Sequence, residues 1–211
     1  MNAIRLGLGA FVALIGIGLL VAGVGIATVA SGGDEAGFHV SPEYTMRTSA
    51  VAIASGRVDL APSPADWLPA GTAAVRLSVR SLDGQPVFVG IGPADLVEGY
   101  LRDVAHDEVT GLGERAAEVT LRSIPGGAAR PPALETFWDI GATTGDSQTL
   151  TWDVKRGAWS LVIMNAQGNP GVAVAASFGV RVPGLLLIGI GIAVAGLLLG
   201  IGSVLLLRRA P

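Results

Sequence analysis

Two long runs without a charged residue constrain this chain more than any other feature. They cover residues 6–30 near the start of the 211-residue sequence and residues 184–207 near its end. A helix needs roughly 20 apolar residues to cross the hydrocarbon core of a bilayer. The sequence therefore predicts two transmembrane helices, one at each end, with a central domain between them.

The composition supports a membrane protein and excludes a disordered chain. Half of the residues are hydrophobic and only 15% are charged, whereas soluble domains carry about 25% charged residues and disordered chains carry more. All acidic residues lie between the two apolar runs. The chain has no cysteine, which excludes a disulfide scaffold and a thiolate metal site.

The charges beside the two runs predict an orientation. Arg5 precedes the first run, Arg208 and Arg209 follow the second, and Asp34 and Glu35 follow the first. Short flanks rich in arginine stay in the cytoplasm. We therefore expect cytoplasmic termini at residues 1–5 and 208–211, and a central domain outside the cytoplasm. The 13 arginines against one lysine, with much alanine and glycine, suggest a GC-rich bacterial genome, so the expected membrane is a bacterial plasma membrane.

The first run has an alternative interpretation as a cleaved signal peptide. Small residues at Thr28, Val29 and Ala30 would suit a cleavage site. Signal peptides, however, have apolar cores of about 7 to 15 residues. The longer run favours an uncleaved span.

Small residues recur along both runs at steps of three and four, which places them on one helix face. The candidate packing residues are Gly189, Ala193, Gly196, Gly200 and Ser203 in the second run, and Gly9, Ala13, Gly16, Gly23 and Ala27 in the first. Small residues let helix backbones approach closely in lipid. We expect the two spans to form an antiparallel pair. A second membrane protein is the alternative partner, and the general abundance of glycine and alanine is the alternative explanation.

The central segment predicts a mainly β domain at residues 38–183 after a flexible linker at residues 31–37. Apolar and polar residues alternate along residues 75–80, which is typical of a half-buried strand. Asp83 and Gly84 predict a hairpin to the next strand. Several such segments indicate an antiparallel β-sandwich or an open barrel. One short helix is expected between Pro93 and Ala105, over an open end of the sheets.

Candidate chemical groups are few. His106, Asp107 and Glu108 form the densest polar cluster beside a histidine, a weak candidate for a metal or acid–base site, because adjacent side chains fan out while metal sites need converging ligands. No catalytic motif, cofactor-binding motif or metal-binding motif is recognisable. Two further sets of residues are candidates. Three carboxylates could imitate a glycosidase pair: Glu135, Asp139 and Asp153. Four tryptophans could hold a ligand or fill the core: Trp67, Trp138, Trp152 and Trp159.

Several short motifs of the central domain are similar to a known group of proteins. The motifs are Val87-Phe88-Val89-Gly90-Ile91-Gly92-Pro93, Tyr100-Leu101, Val104-Ala105-His106-Asp107-Glu108-Val109, Phe137-Trp138, Leu150-Thr151-Trp152, Gly157-Ala158-Trp159 and Met164-Asn165 with Gly168 and Gly171-Val172. Together they resemble uncharacterised bacterial two-span membrane proteins with an extracytoplasmic β domain. The resemblance implies the architecture and carries no activity, cofactor or catalytic residue.

These observations predict a non-enzymatic accessory or interaction protein. Its expected partners are membrane lipids and another membrane or envelope protein. Nucleic acid is not expected, because the central domain is acidic. The alternatives are a module that binds cell-envelope glycans or lipids through an exposed tryptophan and, third, a hydrolase that uses the carboxylates or His106.

Overall fold

The computed structural model describes residues 2–60, 73–113, 119–144 and 147–208. The helices are α1 (Asn2–Ser31), α2 (Ala94–Leu101) and α3 (Leu185–Arg208), with a 3-10 turn at Pro132–Leu134. The strands are β1 (His39–Val40), β2 (Tyr44–Thr48), β3 (Ala52–Ala54), β4 (Val58–Leu60), β5 (Ala74–Ser81), β6 (Val87–Pro93), β7 (His106–Leu112), β8 (Val119–Ile124), β9 (Ile140–Thr144), β10 (Ser147–Asp153), β11 (Gly157–Asn165) and β12 (Val172–Arg181). The chain forms two units, a pair of terminal helices and a β domain.

The terminal helices cover the first uncharged run and all of the second except Gly184. Residues 14–31 of α1 and residues 185–204 of α3 are long and apolar enough to cross a membrane. Helix α1 begins before the predicted span, so residues 2–5 are helical. Helix α3 extends through Arg208. Helix α1 therefore extends beyond its apolar run at both ends, and α3 extends beyond its run by one residue at the C-terminal end.

The β domain is a sandwich of two sheets. One sheet has the order β1-β12-β5-β10 with β2 beside β12, and the other has the order β8-β7-β3-β11-β6-β9 with β4 beside β11. This architecture confirms a mainly β fold of the sandwich type between terminal helices. The pairing is not wholly antiparallel, because β3 and β7 run parallel. Parallel neighbours need a long connection, and residues 55–105 between β3 and β7 supply it, with β4, β5, β6 and α2 inside it.

An inner core fills the space between the sheets. It contains alternate residues of both sheets, such as Leu77 and Val174 from one and Ile53 and Ile163 from the other. This alternation is the reason why the period-two pattern of β5 predicts its strand, since successive side chains point to opposite faces.

An outer core covers the other face of the seven-stranded sheet. Val97 and Leu101 of α2 pack there against Phe88, Val162 and Met164. The expectation that the helix lies over an open end of the sheets is therefore wrong. The strands below α2 are apolar on both faces, so the helix packs where it can bury their second face.

The predicted hairpin at Asp83 and Gly84 is also wrong. The turn exists, and Gly84 has a φ of 73°, but β5 and β6 belong to different sheets. β5 pairs with β10 and β6 pairs with β11. The turn thus connects the two layers of the sandwich.

The segment predicted as a flexible linker contains a hydrogen-bonded turn. Asp34 Oδ1 accepts hydrogen bonds from the backbone nitrogens of Ala36 at 3.0 Å and Phe38 at 2.9 Å. The guanidinium of Arg181 lies 4.9 Å from the centre of the Phe38 ring. This turn leads from α1 toward the first strand.

Candidate functional site

The small residues of α1 and α3 meet at the contact between the two helices. A methyl group on Gly23 would lie 2.3 Å from the backbone nitrogen of Ala193, and one on Gly196 would lie 2.5 Å from that of Leu20. Real side chains essentially never come so close to backbone atoms. The helices therefore touch through their backbones, which only glycine permits at these two positions.

The contacts occur in opposite order along the two helices. Gly16 lies against Gly196 and Gly200, whereas Gly23 lies against Gly189 and Ala193. The helices are therefore antiparallel. The end of α1 at Ser31 and the start of α3 at Leu185 lie at the same end of the pair.

The remaining candidate packing residues differ in their roles. Ser203 is fully buried, and the backbone nitrogen of Ala27 faces Gly189. A methyl group added to Gly200 would have no atom within 4 Å, although the backbone of Gly200 lies next to Gly16. Gly9 and Ala13 lie in the part of α1 whose side chains fall outside the described set.

The polar triplet at the start of β7 does not converge on one point. His106 and Glu108 lie on the outer face of the sheet, and Asp107 is buried on the opposite face, as strand alternation requires. No group of three His, Cys, Asp or Glu side chains suited to a metal ion occurs among the described residues. The geometry therefore separates the triplet instead of assembling a metal site.

His106 and Glu108 instead line a cavity of about 560 Å³ on the outer face of the sheet. We call this cavity the outer cleft. It lies between α2 and strands β3, β7, β8 and β11, and its lining residues are Ala54, Ser55, Gly56, Arg57, Ala94, Val97, Glu98, Leu101, Arg102, His106, Glu108, Arg122, Ile124 and Ser160.

Two arginines of the outer cleft are held by carboxylates. The Arg57 guanidinium donates to Asp95 Oδ1 at 2.6 Å and to Asp59 Oδ1 at 3.2 Å. Hydrogen bonding to Asp95 raises the pKa of Arg57 above its ordinary value. Arg122 pairs with Glu108 in the same way. Their charges are thus balanced within the protein.

The other two charged residues at the cleft have no such partner. Glu98 and Arg102 are exposed, and within the described part of the chain neither side chain forms an ion pair or a hydrogen bond. They stand four positions apart at the end of α2, which places them on one side of the helix axis. The rim of the outer cleft therefore carries one acidic and one basic side chain, neither of which forms an ion pair in the described part of the chain.

The described tryptophans pack against the protein. Trp152 is buried and donates its indole hydrogen to Asp139 Oδ2 at 2.6 Å. Trp159 packs edge-on against Trp152 with ring centres 5.0 Å apart. Trp138 donates to the Pro132 carbonyl at 2.9 Å and is half-buried. None of these three offers an exposed platform, and Trp67 lies outside the described residues.

Two of the three candidate carboxylates also form structural contacts. Glu135 pairs with Arg130 at 2.8 Å. Hydrogen bonds from Lys155 and then from Trp152 lower the pKa of Asp139. Asp153 is exposed at the end of β10. The structure thus gives Glu135 and Asp139 separate cationic partners.

Tyr100 links α2 to the loop before the 3-10 turn. Its hydroxyl donates to the Arg130 carbonyl at 2.5 Å, and burial raises the Tyr100 pKa to about 12. The negative charge of Glu135 acts in the same direction. The tyrosine therefore stays neutral and holds the loop against the outer core.

Sequence reasoning missed the outer cleft. Arg57, Arg102, Arg122 and Ser160 come from four different parts of the chain, and no local spacing connects them. The only available signal was the pair His106 and Glu108, whose i, i+2 spacing in a strand places both on one face.

Comparisons with known proteins give no family. No family model matches the chain, and no curated protein matches it. Among solved structures, it is similar to tomato aspermy virus with 12% identity and a TM-score of 0.26, over 69% of this chain and 79% of that one. It is also similar to the human polyomavirus 6 VP1 pentamer with 13% identity and a TM-score of 0.12, over 68% and 77% respectively. Neither likeness is close enough to inform the function.

Proposed function

We propose that this chain is a bacterial plasma-membrane protein with two spans and cytoplasmic termini. Its β domain lies outside the cytoplasm and acts as a non-enzymatic accessory module that binds another membrane or envelope protein. The lipid bilayer is the second partner, through the two spans.

The surface of the helix pair carries this proposal. Large apolar side chains face outward, with Leu14 69%, Ile17 60%, Leu187 72% and Leu198 63% exposed. Glycines occupy the contact between the helices. Water would solvate such a surface poorly, whereas lipid tails match it, and close packing of small residues replaces the hydrophobic drive that lipid removes.

The flanking charges support the orientation. Arg5 and Arg208 lie at one end of the antiparallel pair, and Asp34 and Glu35 lie at the other. Arginine-rich flanks remain in the cytoplasm. The β domain is inserted at the acidic end, so we place it outside.

The absence of cysteine makes a direct test possible. We expect a single cysteine at Leu134→Cys, an exposed position of the β domain, to react with a membrane-impermeant maleimide on intact cells. A cysteine at Asn2→Cys should react only after the membrane is broken. Labelling of residue 2 but not residue 134 on intact cells would overturn the orientation.

The mass of the mature protein tests whether both spans remain. An intact first span gives the mass of the whole chain, whereas a product that begins at Ser31 would contradict the two-span proposal. This measurement is independent of the orientation.

The accessory role needs its own test. Photo-crosslinking in native membranes, from an exposed residue of the β domain, should give a discrete crosslinked species. Recovery of the monomer alone under all growth conditions would contradict the interaction role while leaving the anchoring intact.

The two alternatives have less support. A glycan-binding module was expected to use an exposed tryptophan, and Trp138, Trp152 and Trp159 instead pack within the domain. A hydrolase was expected to use the carboxylates or His106. Glu135 and Asp139 hold cationic partners, and His106 belongs to no cluster of three metal-binding side chains among the described residues.

A further inference from the structure

We propose that the outer cleft binds a zwitterionic small molecule, such as an amino acid or a short peptide with a free ammonium group and a free carboxylate. This proposal goes beyond the membrane-anchored role and does not depend on it. It rests on the size of the cleft, its charges and its buried polar floor.

The size of the outer cleft suits a small molecule. Sites for such ligands usually enclose about 300 to 1,000 Å³, and this cleft has about 560 Å³. Val97, Leu101 and Ile124 give it an apolar wall. That wall can receive the side chain of an amino acid or a peptide.

The charge balance of the cleft favours a ligand with both signs. Arg57 and Arg122 are already neutralised by carboxylates. This leaves Arg102 for an anionic group and Glu98 for a cationic group. A purely anionic ligand would meet Glu98, and a purely cationic ligand would meet Arg102, so a zwitterion fits best.

The floor of the cleft has unused capacity for hydrogen bonds. Ser160 is 4% exposed, and within the described part of the chain its hydroxyl has no hydrogen-bond partner. The hydroxyl is not among the fully enclosed side-chain atoms without a partner, so a molecule in the cleft can reach it. Its place in the lining of the cleft directs it toward a bound ligand or water.

His106 adds an acceptor to the same floor. It is 7% exposed, and its Nδ1 lies 2.8 Å from the Val104 carbonyl. A carbonyl only accepts, so Nδ1 carries a hydrogen in this contact, and the tautomer with its single hydrogen on Nδ1 presents Nε2 as an acceptor. No described residue bonds to Nε2. An ammonium group or a peptide N–H is the donor that would complete this set.

A series of blocked dipeptides tests the proposal on the full chain in detergent micelles. The probes are dialanine, N-acetyl-dialanine without the ammonium group, and dialanine amide without the carboxylate. Titration calorimetry should show binding of dialanine and about tenfold weaker binding of each blocked form, since one charge-assisted contact is lost. Absence of dialanine binding, or equal binding of all three probes, would overturn the proposal.

Two variants assign the contacts. Glu98→Gln should weaken dialanine to the level of the acetylated probe and leave that probe unchanged. Arg102→Gln should weaken dialanine to the level of the amide and leave the amide unchanged. Both residues are exposed, so the variants should keep the native melting temperature. An effect of either variant on all three probes alike would contradict the assignment.

Nearby charges outside the cleft provide matched controls. Asp103→Asn removes an exposed carboxylate one position from Arg102, and Arg47→Gln removes an exposed guanidinium from the other sheet. Neither residue lines the outer cleft. Both variants should bind dialanine like the native chain, and a loss equal to that of the cleft variants would indicate general charge attraction instead of a site.

Discussion

At the scale of single residues, two glycines with the same backbone conformation distinguish the conformational cost of a substitution from its steric cost. Gly84 and Gly168 have φ values of 73° and 74°, a region that other residues rarely adopt. A side chain on Gly84 would meet open space, whereas one on Gly168 would lie 2.3 Å from the carbonyl oxygen of Ala129. The first position thus carries only the conformational cost, and the second carries a steric cost as well.

We therefore predict that Gly168→Ala destabilises the domain more than Gly84→Ala. The matched φ gives both variants a cost of about 1 to 2 kcal/mol. The contact with Ala129 adds about 1 to 3 kcal/mol at Gly168 alone, because the backbone must shift. Denaturant unfolding followed by tryptophan fluorescence measures both. Equal losses would show that the close approach at residue 168 relaxes without cost.

Asp139 connects the edges of the two sheets. It lies just before β9, and its partners are Trp152 of β10 and Lys155 after it. We expect Asp139→Ala to cost about 1 to 3 kcal/mol, because it leaves the buried Trp152 indole hydrogen without an acceptor. Asp139→Asn retains an acceptor and should cost less. Lys155→Ala, which removes a half-exposed ion pair, should cost about 0 to 1 kcal/mol.

The lowered pKa of Asp139 also predicts a pH dependence. A carboxylate with a depressed pKa stabilises the folded state above the ordinary aspartate pKa, and this contribution disappears as the pH falls through the depressed value. The difference in unfolding free energy between the native chain and Asp139→Asn should therefore shrink below about pH 4. Unfolding curves at pH 7 and near pH 3 test this. A difference that grows on acidification would contradict the assigned direction.

At the scale of the elements, the helix pair depends on which face a glycine occupies. Gly23 and Gly196 face backbone atoms of the other helix, whereas Gly25 and Gly191 have no atom within 4 Å of an added methyl group. The four positions share one residue type and one kind of helix. The face alone distinguishes them.

We expect Gly23→Ala and Gly196→Ala to separate the helices, at a cost of about 1 to 3 kcal/mol each from overpacking. Gly25→Ala and Gly191→Ala should leave the pair intact, since alanine favours a helix over glycine. Disulfide crosslinking between cysteines introduced into α1 and α3 measures their proximity. If all four variants lose crosslinking equally, the close contact does not hold the pair together.

The sequence predicts where the helices and strands of this protein lie better than it predicts which strands pair with each other. Alternation along residues 75–80 locates β5, because burial of one face leaves a local pattern. The pairing of β5 with β10 leaves no local mark, since a strand edge presents the same backbone groups to any partner. The hairpin at Gly84 was wrong for that reason. The outer cleft was not predicted for a related reason, because its residues come from several elements that the sequence does not place together.

At the scale of the whole molecule, both hydrophobic cores lie within residues 40–180. A domain with its own core can fold alone. We predict that residues 38–183, produced without the terminal helices, form a soluble monomer with one cooperative thermal transition. Size-exclusion chromatography and circular dichroism measure this. Aggregation or a transition without cooperativity would show that the domain needs the helices to fold.

The antiparallel pairing of α1 and α3 also has a mechanical consequence. The β domain is inserted between Ser31 and Leu185, which lie at the same end of the pair. A force exerted on the domain therefore reaches both helices at the same end of the pair and pulls them in the same direction. In the membrane arrangement proposed above, both helices would have to leave the lipid together, so the tether would resist a pull roughly as the sum of two anchors.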